Sequence, residues 1–179
     1  KLREQVIYEG PESVAAIVVE TITGSNGVII PPEGYLKGVR AICDEFGIML
    51  ICDEVMAGFG RTGKMFAFEN FGIKPDIVSF AKGVTCGYVQ LGGVCVSKDI
   101  AAYFDDHVLS CGLTYSGHPL ACAAGVACLD YYKEANILDN VNKSGKVLGE
   151  CLEQMKKDHP SVGDVRYIGL FSAVELVKD

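Results

Sequence analysis

Two short apolar runs decide the fold: Ile48-Met49-Leu50-Ile51-Cys52, closed by Asp53, and Ile77-Val78-Ser79-Phe80-Ala81, closed by Lys82 and Gly83. A continuous apolar run of this length, without polar alternation, suits a strand covered on both faces, as in a parallel sheet. Residues 14–19 (VAAIVV) make a third run of the same kind, bounded by Glu20 and the loop Thr23-Gly24-Ser25-Asn26-Gly27. Between the runs at 14–19 and 48–52, Pro31-Pro32-Glu33-Gly34 opens a helix. Tyr35, Leu36, Val39, Ile42, Cys43 and Phe46 recur there at helical spacing, and Gly47 ends it. The segment reads as a βαβ unit.

The pattern continues in the same alternation. A loop with four glycines (57–72) leads through Lys74-Pro75-Asp76 to the strand 77–81, and a short strand follows near Val94-Cys95-Val96. A helix is expected over 98–104, then a loop around His107 to Gly117. Alanine-rich residues 118–134 form a helix with Pro119 in its first turn. A second helix spans about 137–157, and 171–177 reads as a strand with no partner after it. The order predicts an α/β fold with a mostly parallel sheet and flanking helices. The chain opens at Lys1 on what reads as the tail of a charged helix and stops directly after the last strand, so it is expected to be an internal piece of a longer protein.

Composition narrows the classes of function. The 179 residues suit one domain or slightly more, and 49% apolar residues with a mean hydropathy of +0.25 imply a large buried core. A net charge of −7, with sixteen Lys and Arg scattered along the chain, leaves no basic footprint for nucleic acid. No apolar stretch approaches the roughly 18 residues of a spanning helix, and the N-terminus has no signal-peptide core. A soluble cytoplasmic protein is expected, with no membrane partner. The eight cysteines (43, 52, 86, 95, 111, 122, 128 and 151) lie in or beside apolar segments and form no CxxC pair, which predicts buried reduced thiols and no metal site.

One motif is set aside. Gly58-Phe59-Gly60-Arg61-Thr62-Gly63-Lys64 fits part of a phosphate-binding loop, but Met65 replaces the Ser or Thr that would hold magnesium and no helix starts there. The apolar-Asp-Glu motif at 50–54 moreover lies on the same strand end instead of a separate strand.

What remains is Glu20, Asp53 and Lys82, each at the end of a predicted strand. In open α/β sheets ligands bind outside the carboxyl ends of the strands. Taken singly, an acid after a strand is a turn or helix-capping group, and a lysine beside glycine is a surface residue. Taken together, an amine held where water is scarce can deprotonate and attack a carbonyl, and a carboxylate on the neighbouring strand can hold a pyridine nitrogen protonated. That pairing is what a pyridoxal phosphate (PLP) enzyme needs.

The string Leu50-Ile-Cys-Asp-Glu-Val-Met-Ala-Gly-Phe-Gly-Arg-Thr-Gly-Lys64, followed by Lys74-Pro-Asp-Ile-Val-Ser-Phe-Ala-Lys-Gly83, resembles the signature of class III (omega) PLP-dependent aminotransferases. Gly27-Val-Ile-Ile-Pro-Pro-Glu-Gly-Tyr35, Leu113-Thr-Tyr-Ser-Gly-His-Pro119 and Gly163-Asp-Val-Arg166 extend the likeness in order over nearly the whole chain. The resemblance implies an incomplete fold-type I large domain over 1–135 and the start of a small C-terminal α/β domain over 136–179. It implies Lys82 as the Schiff-base lysine, Asp53 as the ring-nitrogen partner and Val55 against one ring face. Thr114 would bind the cofactor phosphate of a neighbouring subunit in a homodimer. Glu20 would lie near the cofactor or substrate, a loop-capping role being the other reading. The reaction implied moves an amino group from an ω-amino acid or amine, such as taurine, β-alanine or 4-aminobutyrate, to a 2-oxo acid. A non-catalytic fragment lacking a complete cofactor site, or an aminomutase or racemase of the same fold, are the alternatives. The chain departs from the family pattern at Thr21 and Gln90, where proline is usual, and at Tyr167, where glycine is usual.

Overall fold

A computed structural model describes residues 1–178. After a short helix α1 (Leu2–Glu9), strands β1 (Ala16–Glu20), β2 (Met49–Asp53), β3 (Ile77–Phe80) and β4 (Gly93–Val96) form one sheet in that order. β1, β2 and β3 run parallel, and β4 returns antiparallel to β3. The mostly parallel sheet is therefore mixed at one edge. Strand β1 begins at Ala16 rather than residue 14, with Ala15 O already accepting from Met49 N, because Val14 is still engaged in capping the 3-10 turn Pro11–Ser13, its N–H reaching Pro11 O.

Helix α2 (Tyr35–Phe46) makes the crossover from β1 to β2. Its Leu36, Val39 and Cys43 pack with Val6 of α1 and with Ile48, Leu50, Cys52 and Ile73 into one cluster. Each fully buried aliphatic side chain contributes about 1.5–3 kcal/mol, so this cluster anchors α2 on the sheet. Gly47 ends the helix in the left-handed region (φ 66°), its N–H reaching Cys43 O. At the start of β2, Asp76 Oδ2 accepts from Leu50 N (2.7 Å) and from Arg40 Nη1 (2.6 Å), tying strand, helix and the entry to β3 together.

The expectation of strands covered on both faces fails even for β2, where Leu50 and Cys52 are fully buried on one face while Met49 on the other is exposed and Ile51 half-buried, and it fails further at the edges. Val18 of β1 is 66% exposed, and Val94 and Val96 of β4 are exposed as well. The thiols follow the same division. Only Cys43 and Cys52 are buried, Cys128 is half-buried, and Cys86, Cys95, Cys111, Cys122 and Cys151 are exposed; all eight are free. Their apolar neighbourhoods sit on the edge strand, in turns and on outward helix faces, which sequence alone does not distinguish from core. Burial pushes the Cys52 thiol up to about 11.

The second half is helical and then returns to strand. Helix α3 (Lys98–Asp106) is capped by Ser97 Oγ, which accepts from Ile100 N, and α4 (Pro119–Glu134) begins at its proline as expected. Helix α5 (Ile137–Asp158) packs on a separate two-stranded antiparallel sheet of β5 (Val162–Ile168) and β6 (Phe171–Leu176). The strand expected to lack a partner thus pairs with residues 162–168, whose Gly163, Asp164 and Arg166 break up the apolar pattern that marks a strand. The hairpin turn uses Gly169 at φ 59°. Gly145 of α5 lets this turn approach: a Cβ there would lie 2.7 Å from Gly169 O. Among the described residues no helix is long and apolar enough to cross a membrane, and no group of His, Cys, Asp or Glu could hold a metal ion.

Candidate active site

The parallel register aligns the three strand-end groups. Glu20 lies opposite Asp53, and Asp53 opposite Ser79, three residues before Lys82. The βαβ order thus places all three at the carboxyl end of the sheet.

Lys82 opens a single 3-10 turn (Lys82–Val84) with φ 48°, a left-handed conformation uncommon for a side chain of this kind. Strain of this sort persists only where the surroundings over-determine it. Here Thr85 N reaches Lys82 O, and the buried Thr85 hydroxyl donates to Val89 O. Tyr132 of α4 donates its hydroxyl to Gly83 O at 3.3 Å. On the other side the ring-bearing carbon of Phe59 presses against Gly83, where a Cβ would come within 2.6 Å of Phe59 Cβ. Lys82 itself is exposed in this chain, so the dry strand end expected for it is not formed by residues 1–178 alone. It lines a cavity of about 580 Å³ together with Val55, Phe59, Arg61, Tyr132 and Phe171.

Asp53 is oriented by its own turn. Its Oδ1 accepts from Val55 N at 2.8 Å, linking the carboxylate to the residue that lines the Lys82 cavity. The backbone on either side is clamped, with Thr21 N donating to Asp53 O and Glu54 N donating to Ser79 O. Glu54 adds a second clamp. Its carboxylate, fully buried, accepts from Thr21 Oγ1 (2.7 Å), Ala67 N (2.8 Å) and Phe68 N (2.9 Å). Burial pushes the Glu54 carboxyl above its ordinary range, the three hydrogen bonds pull it back, and the neighbouring Asp53 charge adds to the rise.

The structure brings Lys82 and Val55 to one cavity and fastens Asp53 to Val55. Asp53 itself does not line that cavity, and neither do Glu20 and Thr114. Glu20 Oε2 accepts from Gly24 N at 2.8 Å, which is the loop-capping contact, and Glu20 lines a different cavity with Pro31 and Tyr35. Thr114 is exposed in a third cavity beside Gln90 and Gly92. Sequence reasoning missed Arg61, Phe59 and Tyr132 as neighbours of Lys82. The glycine-rich string around Arg61 could have flagged the first two. Nothing local marks Tyr132, which helical spacing places on a face of α4 without saying what that face meets.

The geometry agrees with the comparisons. The family model for Aminotransferase class-III matches residues 2–179. The diaminobutyrate–2-oxoglutarate transaminase of Halomonas elongata is 39% identical over 100% of this chain and 39% of its own length. Gamma aminobutyrate transaminase 2 of Solanum lycopersicum is 42% identical over 98% of this chain and 39% of its own length. Among solved structures, the taurine:2-oxoglutarate aminotransferase of Bifidobacterium kashiwanohense, in complex with PLP and glutamate, is 64% identical with a TM-score of 0.97. It covers 98% of this chain, which covers 40% of it. The chain therefore spans about two fifths of the length of the relatives it matches. Matched along almost its whole length in sequence and in structure, the chain belongs to the class III aminotransferase family.

Proposed function

We propose that this chain carries the amine-handling part of a PLP-dependent aminotransferase that moves an amino group from an ω-amino acid or amine to a 2-oxo acid. The observation that carries the reading is the single cavity holding Lys82 and Val55, with Asp53 hydrogen-bonded to Val55 at the end of the adjacent strand. The residues suit such a cofactor: an amine for its aldehyde, an apolar wall in Val55 and Phe59 for its ring, and a fixed carboxylate for its ring nitrogen. When bound, PLP supplies an electron sink for the bond broken at the substrate carbon.

The chain's own groups do the rest. Lys82 would hold the cofactor aldehyde through its Nζ and, once freed by the incoming amine, would serve as the base that takes the proton from the amine-bearing carbon of the substrate. Asp53, held by Val55 N, would keep the ring nitrogen of that cofactor protonated. Thr114 is assigned to the phosphate of a second copy in a cytoplasmic homodimer, which accounts for its distance from Lys82 within one chain. Glu20 is assigned to the rim, through the loop it caps, and the domain boundary to Ala135. Amine donors such as taurine, 4-aminobutyrate or β-alanine, with 2-oxoglutarate or pyruvate as acceptor, are the substrates to test. The names of the taurine and 4-aminobutyrate relatives support this choice.

The exposure of Lys82 favours one second reading, in which the 179 residues alone do not retain cofactor. Titrating the protein with PLP separates the two. Visible absorbance that saturates, and that Lys82→Ala abolishes together with amine transfer, supports the proposal. A Lys82→Ala variant with full activity refutes it. Absorbance unchanged at saturating PLP favours the second reading for the isolated chain.

A further inference from the structure

One thiol beside Lys82, Cys86, and a second in the adjoining cavity, Cys128, have no role in the proposed chemistry. Cys86 follows the turn that Lys82 opens, and its Sγ lies 3.6 Å from Gly83 O and 3.7 Å from the Tyr132 hydroxyl. Cys128 precedes Tyr132 by one turn on α4, on the same helix face. Cys86, Cys128 and Tyr132 line one cavity of about 600 Å³, which shares Cys86 and Tyr132 with the Lys82 cavity. Cys86 is exposed and Cys128 half-buried, so a small oxidant in solvent reaches the pair.

Two neighbours of Cys86 hold their protons tightly. Burial first, then the charge and hydrogen bonding of Cys86, hold the Cys128 thiol up. Burial and Cys86 act in the same direction on the Tyr132 hydroxyl, with Arg61 opposing weakly. Cys128 and Tyr132 thus keep their protons, and the Tyr132 hydroxyl, whose hydrogen goes to Gly83 O, meets Cys86 Sγ through its oxygen.

We propose that Cys86 and Cys128 form a redox-modification site, in which a peroxide converts the two thiols into a disulfide that ties the Lys82 turn to α4. The Cys86 thiolate attacks one peroxide oxygen. The O–O bond breaks, hydroxide leaves and picks up a proton, and Cys86 becomes a sulfenic acid, oxidised by two electrons as the peroxide is reduced. Cys128 sulfur then attacks Cys86 sulfur, the S–S bond forms, and the S–O bond breaks as the Cys128 proton leaves with the oxygen as water. In sum, two thiols and one hydrogen peroxide give one disulfide and two waters. A thiol restores both groups by exchange.

The bridge has a consequence for Lys82. Turning Cys86 Sγ to Cys128 gives up its contacts to Gly83 O and Tyr132 and ties the end of the turn covalently to α4, which draws the backbone directly after Lys82 out of its present position. Capture of the cofactor aldehyde by Lys82 then falls. This consequence rests on the proposed function, whereas the disulfide does not.

The test treats the full cofactor-loaded protein with hydrogen peroxide, counts free thiols, and maps peptides after cleavage at Tyr88 and Leu91, which separates Cys86 from Cys95. The expected result is loss of two thiols, a Cys86–Cys128 cross-linked peptide lighter by two hydrogens, and loss of cofactor absorbance, all reversed by dithiothreitol. Cys128→Ser abolishes the cross-link and keeps the absorbance under peroxide, while Cys122→Ser on the same helix behaves as the parent. Cys86 carried to the sulfinic state with Cys128 still a free thiol overturns the site. A cross-link with unchanged absorbance overturns the coupling to Lys82. If the reduced protein binds no PLP at all, the proposed function fails while the peptide map still decides the disulfide.

Discussion

Thr21→Val is expected to destabilise the fold in a way that depends on pH. The substitution keeps the shape of the side chain and removes the hydroxyl that donates to Glu54 Oε1 at 2.7 Å. Because Glu54 is fully buried, no water replaces the lost donor, and Ala67 N and Phe68 N remain as the other two. A hydrogen bond to a buried charged group contributes about 1.5–3 kcal/mol, and a neutral one about 1 kcal/mol. The Glu54 carboxyl sits above its ordinary range chiefly through burial, so the folded state binds its proton more tightly than the unfolded chain does. For this group, stability is highest below the ordinary glutamate value and falls as pH rises towards the folded value. The Thr21 hydrogen bond limits that rise. Removing it pushes the folded value higher and deepens the loss. The expected cost is about 2 kcal/mol at pH 8 and about 1 kcal/mol near pH 3, below the ordinary glutamate value, where Glu54 is protonated in both states. Urea unfolding of the parent, Thr21→Val and Thr21→Ser at the two pH values measures it, with an unchanged denaturant slope as the check on the comparison. An equal cost at both pH values, or a neutral effect at pH 8, would refute the assignment of Thr21 as a donor to a buried carboxylate.

Other perturbations follow from single contacts. Gly83→Ala places a Cβ 2.6 Å from Phe59 Cβ, an overpacking that costs about 1–3 kcal/mol and displaces Lys82; a melting-temperature drop accompanied by lost PLP absorbance is expected. Lys82→Ala keeps the same backbone and removes an exposed side chain, so its unfolding free energy should stay within about 0.5 kcal/mol of the parent while PLP absorbance disappears. Asp76→Asn weakens the carboxylate bonds to Arg40 and Leu50 N, costing about 1.5 kcal/mol at neutral pH by urea unfolding. Burial opposes ionisation of Asp76, but Arg40 and Leu50 N outweigh it and hold the carboxyl below its ordinary value. Its contribution is therefore present above the ordinary aspartate value and lost as pH falls through the lower folded value, so the cost of Asp76→Asn should vanish in acid.

The sheet was legible because its strands are short apolar runs that end in charge. Asp53 and Lys82 stood out for the same reason, since a polar group at a parallel strand end has few structural duties. β5 stayed hidden because Gly163, Asp164 and Arg166 serve contacts that override strand patterning, with Arg166 bonded to Gly27 O, Asp164 and Glu175. The exposure of five cysteines was equally invisible. An apolar flank signals a covered neighbourhood only when the element's other face is known, and β4 and the outer faces of α4 and α5 have no cover among the described residues. Tyr132 joined the Lys82 cavity through the way α4 packs on the turn at 82–84, a property of tertiary structure alone.

The three departures from the family pattern bear most directly on how this chain tolerates change. Thr21 does not simply relax a loop where proline is usual; it supplies one of the three donors that hold Glu54, and so the backbone that carries Asp53. Gln90 lies in the wall of the cavity that holds Thr114, away from Lys82. Tyr167 fills space on β5 that a glycine would leave empty, and it packs beside Leu152, Val162 and Val165. The ring fits because α5 has a glycine in that place: a Cβ on Gly149 would collide with the Tyr167 ring. The two residues are therefore a matched pair. Gly149→Ala should cost about 1–3 kcal/mol in this chain and much less once Tyr167 is replaced by glycine. A double-mutant cycle by urea unfolding reads the difference, and additive effects would show that the ring and the glycine are not coupled.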